Sequence, residues 1–127
     1  MLFRSDVNHD GKLDVVIGNR AQASRLYLGD GSPGDGFAAG VDFGPALKTT
    51  GLALANLDAD QDLELVEVTD GDGIRLYQFG GGTFGAPVTL DAGNFKASAI
   101  ATGDIDADGD TDFVVGVRGA EIGRAHV

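Results

Sequence analysis

The sequence predicts an all-β fold, and three observations carry that prediction. Gly accounts for 21 of the 127 residues while aromatics make up 7%, and no long stretch spaces its apolar residues at the helical period. Short apolar runs alternate instead with turns rich in Gly, Asp and Pro. The pattern also repeats: DVNHDGKLDVVIG from Asp6 returns as NLDADQDLELVEV from Asn56 and as DIDADGDTDFVVG from Asp104, so the starts lie 50 and 48 residues apart.

Other segments keep this register. LYLG at Leu26 recurs as LYQFG at Leu76, and FAAGVDF at Phe37 recurs as FGAPVTL at Phe84, where an offset of 47 implies a turn three residues longer in the first copy. Each period holds about four short apolar segments, the make-up of one propeller blade. The predicted architecture is therefore a fragment of a β-propeller, with four-stranded antiparallel blades and an Asp-rich loop joining the first and second strands. In the middle copy the strands are placed near Leu52–Ala55, Leu63–Val68, Ile74–Phe79 and Ala86–Leu90.

On this division residues 6–43 form a partial blade, 44–92 a complete one and 93–120 a second partial one. The first copy is expected to lack its opening strand and the third its last two. Val15–Ile17 and Phe113–Val117 are nearly continuous apolar runs, which suits strands buried on both faces. LELVEV in the middle copy is more mixed, so at least one of its acids is expected at a surface.

The two ends read differently. MLFRS at the start matches the translation of a common short-read sequencing adapter, and IGRAHV at the end matches the complementary adapter, with Glu121 as the codon at the junction. Residues 1–5 and 121–127 are accordingly read as translated adapter sequence, and chemistry is sought in residues 6–120. With both ends set aside, the lack of a visible signal peptide carries no weight.

A formal net charge of −11 argues against nucleic acid and anionic membranes as partners, because both are bound through basic patches. No apolar run approaches membrane-spanning length, so no membrane insertion is expected. With no cysteine, disulfides and thiolate metal sites are excluded. The acids cluster: 12 of the 20 fall in the three stretches 6–14, 56–64 and 104–112.

Clustered hard oxygens at alternate positions are what a calcium ion needs, since it takes six to eight oxygen ligands and a tight loop supplies them from side chains plus one backbone carbonyl. In the third loop the side chains of Asp104, Asp106, Asp108 and Asp112 and the carbonyl of Asp110 are the candidate ligands, with Gly109 at the sharp turn. In the first loop they are Asp6, Asn8, Asp10 and Asp14, the carbonyl of Lys12 and the turn at Gly11. The second offers Asn56, Asp58, Asp60 and Glu64 with the carbonyl of Asp62, but Gln61 occupies the turn position. The second site is expected to be the weakest and the third, with four ligand carboxylates, the tightest. Magnesium is disfavoured because the cage is large and all-protein.

Two plainer readings compete. An EF-hand needs a bidentate Glu at loop position twelve, where this chain has Ile17, Glu67 and Val115, and its flanks are strand-like. Asp/Gly turns also end strands with no ion at all. Three copies in register that pack like charges together, with no Lys or Arg inside the second and third loops, favour a cation over solvated turns.

These residues resemble FG-GAP repeats, also grouped as VCBS repeats. The likeness rests on DVNHDGKLDVVIG, DIDADGDTDFVVG and the TFGAPV segment at Thr83, and it covers residues 6–120. Asn56, Gln61 and Glu64 depart from the pattern. The resemblance implies the calcium-bearing blades of integrin-α-type propellers and of bacterial surface proteins. It further implies an extracellular or cell-surface setting and a role in adhesion or in binding a protein or carbohydrate ligand.

Elsewhere the chemistry is sparse. His9 lies between candidate ligands and is expected to face solvent. No second histidine outside the end segments, no cysteine and no nucleophile elbow is present to build a triad or a His-based zinc site. Gly80–Gly82 lack a following Lys and helix and read as a hairpin turn. Glu67, Asp70 and Asp72 are conceivable members of a glycosidase pair but read as surface charge, while Tyr27, Tyr77 and Phe79 fit strand packing. A non-catalytic calcium-binding scaffold is thus the expected function. The rivals are the propeller part of a calcium-dependent polysaccharide lyase or hydrolase, and an architectural spacer.

Overall fold

Strands form where the apolar runs were read. The computed structural model describes residues 2–33, 36–58, 60, 62–118 and 124–126, and among them there is no helix. Eleven strands follow in order: β1 (Leu2–Ser5), β2 (Asp14–Ile17), β3 (Arg20–Tyr27), β4 (Val41–Ala55), β5 (Glu64–Thr69), β6 (Ile74–Gly80), β7 (Thr83–Phe84), β8 (Val88–Asp91), β9 (Lys96–Gly103), β10 (Asp112–Arg118) and β11 (Arg124–His126). All pairings are antiparallel.

The strands group by repeat. β1, β2, β3 and the first half of β4 make one four-stranded unit, and the second half of β4 with β5, β6 and β8 makes the next. β9, β10 and β11 form a separate three-stranded sheet. Each acidic loop joins the first strand of its unit to the second, β1 to β2, β4 to β5 and β9 to β10. This all-β arrangement of successive antiparallel units is that of a β-propeller fragment. Gly81 and Gly82, both at positive φ, turn the hairpin between β6 and β7.

Two boundaries differ from the sequence reading. β4 runs through the division at residues 43 and 44 and changes partner later, with Lys48 opposite Arg20 and Thr49 opposite Thr69. The first unit does not lack its opening strand either, because Leu2–Ser5 lie along Asp14–Ile17, from Leu2 opposite Ile17 to Ser5 opposite Asp14. In the third sheet Arg124–His126 take the third-strand place beside Phe113–Val115. The physical reason is common to both: an open sheet edge presents unpaired N–H and C=O groups, and a short extended segment satisfies them whatever its side chains. Residues 119–123 and 127, part of the closing segment, lie outside the described residues.

Two cores hold the units together. Val16, Leu26 and Phe43 of the first unit pack on Leu52, Leu65, Tyr77 and Phe84 of the middle one. The Phe43 ring meets Tyr77 edge-on at 5.2 Å and Phe84 at 4.9 Å, a geometry that adds to area burial. On the other face Val66, Val68 and Ile74 pack on Ala97, Phe113 and Val115 of the third sheet. Every residue of β5 is buried because that strand is central and covered on both sides. The expectation that one acid of LELVEV reaches a surface is therefore overturned: Glu64 is 2% and Glu67 1% exposed. Each keeps its charge out of water by accepting hydrogen bonds.

Candidate metal centre

The spacing of the acids dictates the shape of each loop, because alternate Asx side chains capture backbone amides that would otherwise point outward. In the first loop Asp6 accepts the amides of Asp10 (3.1 Å) and Gly11 (2.9 Å), Asn8 accepts that of Asp10 (3.3 Å), and Asp10 accepts that of Lys12 (2.9 Å). The third loop repeats this bond for bond. Asp104 accepts the amides of Asp108 (3.1 Å) and Gly109 (3.0 Å), Asp106 that of Asp108 (3.3 Å), and Asp108 that of Asp110 (2.9 Å). The chain turns through positive φ at His9 and Gly11, and at Ala107 and Gly109. Glycine carries the second of these turns without the cost of a Cβ.

The last acid of each loop closes it from the strand side. Asp14, Glu64 and Asp112 begin β2, β5 and β10, are buried, and accept the amides of Val7 (2.7 Å), Leu57 (2.6 Å) and Ile105 (3.0 Å). Asp14 also accepts the Gly29 amide at 2.8 Å through its other oxygen. The corresponding oxygen of Asp112, Oδ1, is buried with no hydrogen-bond partner among the described residues. A buried, bare carboxylate oxygen at a ring of acids suits a cation ligand.

The second loop departs from its neighbours where its sequence does. Asp58 and Asp60 still accept the amides of Asp60 and Asp62, at 2.9 and 3.0 Å. Asn56, however, donates its side-chain amide to the Asp60 carbonyl, where Asp6 and Asp104 accept amides. Gln61, at which positive φ was expected, lies outside the described residues. Loops two and three are adjacent, and Asn56, Leu57, Asp58, Gly109, Asp110 and Thr111 line one cleft of about 230 Å³ between them.

Of the candidate side-chain ligands, Asp104, Asp106, Asp108 and Asp112 bring one oxygen each within 4.8 Å of the others, and so do Asp58, Asp60 and Glu64. The three carboxylates of the first loop, Asp6, Asp10 and Asp14, form no such group, and its remaining ligand is the neutral Asn8. Lys12, Asp62 and Asp110 hold the carbonyl positions. Crowding shows in the electrostatics. The Asp106 carboxyl is held above its ordinary value by local desolvation among the loop's other groups and by its hydrogen bond with Asp108. The Asp60 carboxyl is raised by its bond with Asp58, and that of Glu64 by burial and then by the charges of Asp58 and Asp60. Like charges that cannot all ionise cheaply at such distances are relieved by a bound cation. The oxygen-only donor set fits a hard ion of the calcium type.

Sequence reasoning placed Glu67 on the surface, and the structure corrects this. It lies in the interface of the first and middle units and accepts the hydroxyls of Ser24 (2.8 Å), Thr49 (3.0 Å) and Tyr77 (3.3 Å). It belongs to no acid group around the second loop, so it does not act there as a twelfth-position ligand. The signal that could have found it is the register: Ile17 and Val115 hold the same place in the other copies. Tyr77 is fully buried, Phe79 packs on Phe84, and His9 is exposed.

Against known families, the profile described as FG-GAP-like repeat matches residues 6–67 and again 56–115. Each match opens on the first candidate ligand of a loop, Asp6 or Asn56. A comparison with curated proteins finds no match.

Proposed function

The chain belongs to the FG-GAP-like repeat family, and from that premise we propose that it is a calcium-binding, non-catalytic segment of an extracellular β-propeller that serves as a scaffold for adhesion or ligand binding. The observation that carries the calcium reading is the third loop, where four carboxylates converge within 4.8 Å and one buried oxygen of Asp112 has no hydrogen bond. Calcium there turns mutual repulsion into a rigid junction between strands, which orders the loops from which ligands are bound. Extracellular calcium suits sites of modest affinity.

A polar cleft of about 540 Å³ on the open face of the first unit supports a hydrophilic ligand such as a carbohydrate. Asn19, Gln22, Tyr27 and the ion pair of Arg25 with Asp42 (2.6 Å) line it. The test of the calcium reading is a thermal melt in calcium, in magnesium and in chelator, because a ligand of the folded state raises its stability. A calcium-selective rise that disappears in the Asp108→Ala, Asp10→Ala double variant is expected. A cooperative melt indifferent to calcium would return the loops to solvated turns.

A further inference from the structure

The two cores that flank the middle unit differ at one matched pair of positions. By the repeat register Ser24 corresponds to Ile74, and Glu67 corresponds to Val115. Ile74 and Val115 are both buried apolar members of the second core. At the matching place in the first interface, Ser24 donates its hydroxyl to Glu67 across the two units at 2.8 Å. The other two donors to Glu67, Thr49 and Tyr77, bond to it within the middle unit, so Ser24 is the donor supplied by the facing sheet. Close approach is built in as well: a Cβ at Gly44, on the first half of β4, would stand 2.3 Å from the Tyr77 hydroxyl.

We propose that Ser24 and Glu67 form a registry lock that selects which sheet docks on this face of the middle unit. A sheet that brings a hydroxyl to Glu67 fits, and an apolar face of the Ile74 type does not. A buried carboxylate with its donors in place is often no more stabilising than an apolar pair of the same size, whereas one that has lost a donor is costly. The cluster therefore contributes discrimination between partners more than net stability. Without it, the middle unit would offer a face that any copy of these repeats could cover.

The test uses the full chain in calcium and borrows its substitutions from the matching repeat positions, Ser24→Ile and Glu67→Ile. Ser24→Ile alone should lower the melting temperature markedly, and the double variant should recover most of that loss. Ser24→Thr, which keeps the hydroxyl, should stay close to the parent chain. Light scattering over a concentration series should show new self-association in Glu67→Ile, because an apolar residue at this buried place no longer distinguishes the chain's own first unit from a second copy. Additive losses in the double variant, a Ser24→Thr as damaging as Ser24→Ile, or an unchanged oligomeric state in Glu67→Ile would each overturn the lock.

Discussion

Loops one and three share a ladder of amide-to-carboxylate bonds, yet they are finished differently. Asp14 ends the first loop with both oxygens occupied, by the amides of Val7 and Gly29. Asp112 ends the third with one oxygen on Ile105 and the other bare. Asn8 also spares the first loop a fourth carboxylate, whereas Asp106 adds one to the third. The first loop is thus closed by peptide dipoles of its own unit, whereas the third keeps a carboxylate oxygen that the proposed ion would take. Identical loop geometry does not imply an identical need for metal.

The sharpest way to break this comparison is to truncate the closing acids in chelator. Asp14→Ala strands two buried amides and should cost about 3 kcal/mol, at the upper end for bonds to a charged acceptor. Asp112→Ala removes one such bond together with an uncompensated charge, so its loss in chelator should be clearly smaller. In calcium the order should reverse, with Asp112→Ala forfeiting most of the calcium-dependent rise. Paired melts of the two variants with and without calcium check this.

Exchanging the one differing ligand should move affinity next. Asp106→Asn should weaken the third site and Asn8→Asp strengthen the first, each by roughly tenfold, or about 1.4 kcal/mol. Titration calorimetry measures both, and equal affinities before and after would remove ligand charge as the distinguishing factor. At the second loop Gln61→Gly, which places glycine where the other loops have Gly11 and Gly109, should give a smaller gain, at most about 1 kcal/mol. Calorimetry showing no gain would put the weakness in Asn56.

The smallest effect expected is a pH dependence. Asp106, Asp60 and Glu64 are each raised above ordinary values of 3.8, 3.8 and 4.5 in the metal-free fold. A raised carboxyl favours the metal-free fold while protonated, so that contribution is lost as pH climbs through the raised values. Calcium requires the ionised forms, so its affinity should rise over the same interval. The gap between melting temperatures in calcium and chelator should therefore widen as pH increases from the ordinary carboxylate range upward. A gap that narrows with rising pH would contradict the raised carboxyls as ligands.

The sequence by itself determined the period, the strand-and-turn alternation and the loop residues, because each rests on local chemistry. Alternate Asx side chains capture nearby amides, glycine takes positive φ, and apolar runs seek a core wherever the chain places them. The departure of the second loop was legible too, since Asn56 behaves as a donor where its counterparts accept. Tertiary structure alone decided three things. Whether ligands converge depends on how the closing acid is held by a second segment, as Gly29 holds Asp14. Whether Glu67 is surface charge or buried lock depends on a sheet 43 residues away in the chain. Whether Leu2–Ser5 form a strand depends on the open edge of β2, whose unpaired amides and carbonyls accept an extended neighbour irrespective of its side chains.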